Sequence, residues 1–552
     1  MKSPRFDSFL ENLYFGEFDR EAFRYREADA ADPDVKRLVN GFLEASKEYP
    51  PDRLEKLGRV PDDLLDKLKK TGFFGLIIPK EYGGQGLDLH RYLAVVEEIV
   101  KTDMALGILS LAHLSIGVMG VILYGSCEQK ERYLSKAAAG DMIFCYALTE
   151  PLTGSDARHI QTAAVLSPDR KTYVLNGTKT FITNANYSGG LTVFAQLDPE
   201  KPGSLGAFIV ETAWEGVSIG KDMEKMGLKA SSTASIQLKN VRVPVENMIG
   251  GPGDGFRIAM TILNYGRLAL GAASSGMLSA SLSDMRKRSA MRQQFQVPIA
   301  RFELLQEMMV NAWVRMETVR AMTHLTAGIL DRNPLADAAT ESSHVKLYGT
   351  NRAWDSLYDS MQLAGGSGYL SNQPYDKRMR DFRVATIFEG TTEIHGIYPP
   401  LSLARKVQKS LRGKSLPGRL FVLAGLKIPG AGYRPGNPAL RRAASEIRSE
   451  AAIYRKLFLT SVTRLGKRLP EREFLLRRMT TVSVHLYALV SLCAKVEAWK
   501  AEGRDVDDLL TVLSGFIETA KRETRRNAHF RPDAAEKMHP VLFARIDPAP
   551  EK

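Results

Sequence analysis

The sequence predicts a mostly α-helical protein with a central β domain and an extra helical domain at its C-terminal end. Two observations carry this. Apolar residues recur at three-and-four spacing before residue 140 and again after Gly253, as they do along one face of a helix. Between these stretches, short β-branched and aromatic runs alternate with Gly, Pro, Asn and Asp at hairpin-like intervals. A chain of 552 residues, at about 150 per domain, holds three or four compact units with ample core. Hydrophobic residues at 44% and charged residues at 25% exclude a disordered or collagen-like chain.

Residues 1–144 form the first helical domain, where Leu65, Leu68 and Phe73, then Leu93, Val96 and Ile99, keep helical spacing. Inside it, Met104 to Gly125 runs 22 residues without a formal charge. As one helix it would measure about 33 Å, enough to cross a bilayer. Its His113, Ser110, Ser115, Gly117 and Gly120, and the helical pattern beside it, favour a core helix instead. Residues 145–249 make the β domain through IQTAAVL, KTYVLNG, TFIT, LTVFAQL and GAFIVE. After Gly250, Gly251 and Gly253 the helical period returns in FRIAMTILNYGRLALGAA, ARFELLQEMMVNAWVRMETVRAM and VKLYGTNRAWDSLYDSMQL. This second helical domain, 250–405, is expected to be a four-helix bundle. A basic stretch with Gly and Pro, 406–436, reads as a linker, and EFLLRRMTTVSVHLYALVSLCAKVEAWKAEG carries the last helical domain, 437–552.

The net charge of +13 is localised. No carboxylate lies between Glu393 and Glu446, while Arg405, Lys406, Lys409, Arg412, Lys414 and Arg419 fall there, followed by Lys427, Arg434, Arg441 and Arg442. Leucines and Phe421 are interleaved with them. A solvated linker and an interfacial membrane segment both fit this mixture. Cys127, Cys145 and Cys493 are far apart, and neither Cys-x-x-Cys nor His-Glu-x-x-His occurs, so neither a disulfide framework nor a zinc site is expected. None of the nine histidines is assigned to catalysis. The N-terminal stretch has four early acids and no apolar run behind a basic start, unlike a secretory or transit peptide. A cytoplasmic protein, peripheral on the inner face of the membrane, is the expectation, or one on the matrix side if the chain is a processed mitochondrial one.

On chemistry alone the motifs are modest. No Gly-x-Gly-x-x-Gly follows a strand, and Gly413-Lys414-Ser415 has Gln408 where a phosphate loop needs glycine. The loop TEPLTGSD, Thr149 to Asp156, offers hydroxyls and backbone N–H groups suited to a pyrophosphate. QLAGGSGYL, Gln362 to Leu370, has a glycine turn that either admits a ligand to the backbone or caps a helix. Glu389, between Phe388 and Gly390, has apolar neighbours that would raise its pKa toward that of a general base, although most glutamates are simply solvated.

Taken together, YALTEPLTGSD, LNGTKTFITN, KMGLKASSTASIQLKNVRVPVENMIG, QLAGGSGYL and MRDFRVATIFEGTTEI resemble the acyl-CoA dehydrogenase family. The resemblance covers nearly the whole chain and points to the very-long-chain branch, which carries an extra C-terminal domain. It implies that fold and an FAD held between the β domain and the second helical domain. Tyr146, Leu148 and Thr149 fall where the family contacts the flavin ring, and Ser155 where it meets the pyrophosphate and the substrate. Phe181 and Thr183 match positions that cover the ring and bond near its N5, Phe181 standing where many relatives have tryptophan. Arg292, Gln294 and Phe295 resemble the Arg-x-x-Phe-Gly element that reaches the FAD of a partner subunit, except that Gln296 replaces its glycine. Gln362, Gly365 and Gly366 match the turn near the adenine, and Thr391 and Glu393 further cofactor contacts.

By the same resemblance Glu389 is the catalytic base. Some branches carry the base in a preceding helix, at the position of Gly266 here, which has no carboxylate to offer. Glu389 is then expected to take the α-proton of an acyl-CoA while a hydride leaves the β-carbon for the flavin, giving the trans-2-enoyl thioester. The Glu389 N–H and an FAD ribitol hydroxyl are implied to polarise the thioester oxygen. Asn264, Arg267 and Gly390 are assigned to the substrate site, Arg267 beside the base. Gly117 and Gly120 match glycines at the floor of the acyl cavity, where missing side chains lengthen a tunnel, although close helix packing also uses glycine. The implied function is long-chain acyl-CoA dehydrogenation in fatty acid β-oxidation by a homodimer, with electrons passing to an electron-transfer flavoprotein. A peripheral membrane contact and no nucleic acid are expected. An acyl-CoA oxidase, or a binding or assembly protein on the same fold, is the alternative.

Overall fold

The computed structural model describes residues 6–198, 200, 201, 203–411 and 432–546. The Gly413-Lys414-Ser415 motif, and most of the 406–436 linker with its expected membrane contact, lie outside the described residues. The chain divides into two compact units, Arg26–Thr391 and the discontinuous pair Met1–Tyr25 with Thr392–Lys552.

The Arg26–Thr391 unit begins with helices whose ends are written locally. Asp32 caps Pro33–Ser46 by accepting from the N–H groups of Asp34 and Val35, with Pro33 at the first turn. Ser126 and Gln129 form a reciprocal capping box on Cys127–Ala139, which stops at left-handed Gly140. The apolar segment is two short helices, Met104–Leu111 and Met119–Tyr124, joined by a π-turn at Ala112–Gly117. It is 89% buried across its most apolar window, as a core segment should be. The single helix expected there is thus broken in its middle, because His113 is held by three tertiary bonds. Its Nδ1 accepts from the Phe144 N–H at 2.9 Å, and its Nε2 lies 3.1 Å and 3.2 Å from the carbonyl oxygens of Phe74 and Ala137. Burial lowers its pKa to about 4, so it is a neutral core histidine.

The β domain is a mixed eight-stranded sheet. Its strands are β1 (Ile143–Ala147), β2 (Ala163–Leu166), β3 (Thr172–Thr183), β4 (Ser188–Gln196), β5 (Leu205–Glu211), β6 (Val217–Ile219), β7 (Thr233–Pro244) and β8 (Met248–Ile249). The order is β6-β7-β3-β2-β4-β5-β8, with β1 added in parallel on β4. Alternate residues such as Leu175, Ala234, Ile236, Val241 and Val243 bury one face of the long β3–β7 ribbon. Three long helices follow, Gly255–Met291, Glu303–Arg332 and Ala339–Ala364, packed on one another and on Leu89–Thr102.

The second unit corrects two expected boundaries. The chain expected to close the second helical domain at 405 continues unbroken as the helix Thr392–Leu411, which groups with the C-terminal helices Arg441–Leu465, Glu473–Ala501 and Asp507–Asn527. The first 25 residues also belong here rather than to the first helical domain. Their aromatic side chains are the reason. The Tyr14 and Tyr454 rings lie 4.0 Å apart, Phe18 and Tyr433 5.5 Å, and Glu11 pairs with Lys406 at 2.7 Å. Glu473–Ala501 also has membrane-spanning length and apolarity, yet it is 89% buried across its most apolar window.

Candidate active site

Glu389 sits in a tight turn after the short 3-10 helix Arg383–Thr386, with φ of 56° at Glu389 and 96° at Gly390. A non-glycine residue at such φ costs roughly 1–2 kcal/mol, so surrounding contacts must hold it there. Two cations do so. Arg267 Nε donates to the Glu389 carbonyl at 3.5 Å, and Lys346 Nζ donates to the Gly390 carbonyl at 2.6 Å. Oε2 of Glu389 is buried. Burial raises the carboxyl to about 7, against the opposing pull of Arg267 and Lys346. This is the proton affinity a general base needs near neutral pH. A Cβ on Gly266 would meet Ile116 Cγ2 at 2.7 Å and Glu389 Oε2 at 3.1 Å, so the glycine leaves the room that the carboxyl fills.

Tyr146, on β1, donates from its hydroxyl to the Ala259 carbonyl at 3.2 Å, and burial followed by the nearby Glu389 charge pushes its phenol far up. It therefore stays neutral. Asn264, one turn before Arg267, accepts from Ser342 Oγ at 2.9 Å. Tyr146, Asn264, Arg267, Glu389 and Gly390 thus come from three separate stretches of the chain, and Tyr146 and Arg267 both bear on the Glu389 carboxyl.

The TEPLTGSD loop is braced from beneath by a buried ion pair that sequence reasoning missed. Lys179, on β3 and wholly buried, donates to Glu150 Oε1 at 2.7 Å and to the Leu148 carbonyl at 3.2 Å. The Glu150 carboxylate also accepts from the N–H groups of Gln161 and Thr162 at 2.5 Å and 2.9 Å. Lys179 and these donors outweigh burial and hold Glu150 below the usual carboxylate range. The Thr180 N–H donates to the Thr149 carbonyl at 2.9 Å, tying the loop to β3. Leu148 is buried, Thr149 half-buried, and Ser155 exposed at the loop tip. The signal for the brace was a lysine inside an otherwise apolar and threonine-rich strand. Lys346 was missed too, because one lysine in a helix reads as solvated.

Phe181 lies where the β3–β7 register shifts between Lys179 and Ile182, with φ of 56°, and is 66% exposed. The bulge turns an aromatic ring outward beside Thr183. Arg292, Gln294 and Phe295 are exposed around a hairpin that follows Gly255–Met291. Gln296, in place of the glycine, still takes φ of 66° after Phe295 at 48°, so the turn survives the substitution. Gln362 accepts from the Gly365 N–H at the end of its helix. Gly365 has φ of 63° and ψ of −143°, which only glycine adopts comfortably, and open space lies beside both Gly365 and Gly366. Thr391 is half-buried, and exposed Glu393 opens the Thr392–Leu411 helix in the other unit.

Gly117 is a correction. A Cβ there would meet the Phe144 carbonyl oxygen at 2.6 Å and the Ala112 carbonyl oxygen at 2.8 Å, so the glycine serves close backbone packing and opens no tunnel. A Cβ on Gly120 would meet the side-chain ends of Ile262 at 3.1 Å and Ile249 at 3.4 Å.

The outward ring of Phe181, the braced loop Thr149 to Asp156, and the open backbone at Gly154, Gly365 and Gly366 are each features that suit a flavin dinucleotide, which needs an aromatic contact and close approach of its phosphates to backbone. Family models agree. The N-terminal, middle and C-terminal domains of acyl-CoA dehydrogenase match residues 33–141, 145–241 and 253–397. The chain belongs to the acyl-CoA dehydrogenase family. It is 32% identical over 496 residues to the mitochondrial very long-chain specific acyl-CoA dehydrogenase of Bos taurus, covering 85% of this chain and 75% of that one. Among solved structures it resembles an acyl-CoA dehydrogenase of Bacillus anthracis complexed with FAD, with TM-score 0.81 and 27% identity, over 98% of this chain and 95% of that one. It also resembles a chain of a structure described as the electron transferring flavoprotein of Acidaminococcus fermentans, with TM-score 0.62 and 32% identity, over 69% of this chain and 98% of that one. The protein is an FAD-dependent oxidoreductase of this family, related to its long-chain members over most of its length, including the C-terminal helices.

Proposed function

We propose that this chain removes hydrogen from the α- and β-carbons of long-chain acyl-CoA to give trans-2-enoyl-CoA, with Glu389 as the base. The observation that carries it is the Glu389 carboxyl, buried at Oε2 and poised at about 7 beside Gly266. Bound FAD supplies the two-electron acceptor for the hydride that leaves the β-carbon. Glu389 takes the α-proton onto its carboxylate, and the electron pair of that C–H bond becomes the new carbon–carbon double bond. The Glu389 N–H polarises the thioester oxygen, which makes the α-proton acidic enough to move. Tyr146, Leu148, Thr149, Ser155, Phe181 and Thr183 are read as the flavin contacts on this chain. Gln362, Gly365, Gly366, Thr391 and Glu393 are read as its further cofactor contacts.

Long-chain preference rests on the similarity to the Bos taurus enzyme and on Gly120 alone, since Gly117 is used for packing. A homodimer is supported by the hairpin that leaves Phe295 88% exposed beside Arg292 and Gln294. The electrons are read as passing to an electron-transfer flavoprotein in the same compartment, cytoplasmic or mitochondrial, and the 406–436 linker as holding the enzyme at the inner membrane face. Purified holoprotein mixed with short, medium and long acyl-CoAs, with the product identified by mass, tests the reading. Conversion of long chains to 2-enoyl-CoA supports it, and turnover of no acyl-CoA defeats it.

A further inference from the structure

Lys346 has no exposed surface, and its helix, Ala339–Ala364, is remote in sequence from the turn it serves. Burying an ammonium costs several kcal/mol unless the site uses it. Its Nζ donates to the Gly390 carbonyl at 2.6 Å, the carbonyl that directly follows that of the base. Arg267 Nε takes the preceding carbonyl, that of Glu389, at the longer distance of 3.5 Å. Two successive carbonyls of a left-handed pair, φ of 56° and 96°, are thus fixed by cations from two different helices. The shorter bond is the one to Lys346. Released, the turn would relax toward ordinary φ and swing the carboxyl away from the space beside Gly266.

We propose that Lys346 is a positioning residue for Glu389: its ammonium pins the Gly390 carbonyl and so holds the strained turn that presents the base. The inference rests on the reading of Glu389 as the base. The charged and titratable groups that face Glu389 include Tyr146 from β1, Arg267 from Gly255–Met291 and Lys346 from Ala339–Ala364. Tyr146 stays neutral, so the two cations are what oppose burial, and loss of one must raise the proton affinity of the base.

The test uses the holoprotein with Lys346→Met, Lys346→Arg and Glu389→Gln. Anaerobic reduction of the flavin by a long-chain acyl-CoA is followed against pH, and hydrogen exchange is measured in peptides spanning residues 386–392. Lys346→Met is expected to keep its FAD, to slow reduction about tenfold or more through misplacement of the base, and to raise the midpoint of the pH profile. Exchange in the turn should quicken while the rest of the Ala339–Ala364 helix is unchanged. Lys346→Arg, which keeps the charge, should restore the midpoint and part of the rate. Should Lys346→Met not fold, Lys346→Gln carries the same comparison. A Lys346→Met protein with the original rate, midpoint and exchange overturns the proposal, as does a slowed one whose midpoint and turn exchange are unmoved. If Glu389→Gln retains full rate, it is the base assignment that fails instead.

Discussion

Gly266 and the Glu389 carboxyl share one small space: a methyl group on Gly266 would stand 3.1 Å from Glu389 Oε2 and 2.7 Å from Ile116 Cγ2. The first contact is tight and the second is impossible without movement. The position that carries a carboxylate in some branches is therefore the one whose missing side chain leaves room for the Glu389 carboxyl. Gly266→Ala is expected to retain FAD and to slow flavin reduction about tenfold or more, because displacement of the base by less than an ångström is costly for proton transfer. Stopped-flow reduction of the variant checks this, and an unchanged rate would mean that Ile116 absorbs the strain alone.

The pH profile of the same reaction follows from burial of the base. Its carboxyl, raised to about 7, is protonated and inactive below that value and free to accept a proton above it. Reduction rates at low acyl-CoA concentration, which report the free enzyme, should climb as pH rises, with a midpoint near 7. A flat profile between pH 5.5 and 8.5, about one and a half units on either side, would argue against a buried carboxylate base.

Lys179→Met should strand the buried Glu150 carboxylate. Losing one partner of such a pair costs about 3–5 kcal/mol, more than the pair itself contributes. A lowered thermal midpoint and weakened FAD retention are expected together, since Lys179 also holds the Leu148 carbonyl at the start of the loop proposed to contact the flavin. Calorimetry with and without added FAD separates the two effects.

Gln296→Gly should stabilise the hairpin. Phe295 and Gln296 both have positive φ between the paired strands Gln293–Gln294 and Val297–Pro298, a two-residue turn that favours glycine at its second position. Relief of one left-handed non-glycine residue, less the extra entropy of glycine in the unfolded chain, gives about 0.5–1 kcal/mol. A rise in denaturation midpoint at constant m-value would show it.

Glu450, in the Arg441–Leu465 helix, accepts from Thr524 Oγ1 at 3.0 Å while its Oε2 is buried. Burial pushes it up to about 8 from an ordinary value of 4.5. Between those values the folded protein keeps a proton that the unfolded chain has released, so stability falls as pH rises through the window. Glu450→Gln is expected to change little at pH 5 and to stabilise by about 2 kcal/mol or more at pH 9, as a shift of this size implies after discounting. Equal stabilisation at both pH values would contradict the buried-carboxyl reading.

Much of the order of elements was legible because it is written in local spacing. The alternating runs of β3 and β7 and the three-and-four spacing of Gly255–Met291 need no distant partner to be recognised. What failed depends on contacts far apart in the chain. The π-turn at Ala112–Gly117 answers to His113 and its bonds to Phe74, Ala137 and Phe144, none of which its own sequence reveals. Tyr14 belongs with Tyr454, so the first 25 residues join a unit built mainly from the end of the chain. The resemblance of its motif singled out Glu389 with Arg267 beside it, but Lys346, which also holds its turn, was not legible, because it meets the turn only in the fold. Gly117 could not be assigned from sequence, since a glycine that admits a ligand and one that admits a neighbouring backbone look the same.

Anaerobic mixing of the purified holoprotein with a long-chain acyl-CoA, in the original protein and in Glu389→Gln, tests the assignment of the base most directly. Bleaching of the flavin absorbance in the first and its loss in the second, with equal FAD content, is the expected result. Bleaching of Glu389→Gln at the original rate would contradict it.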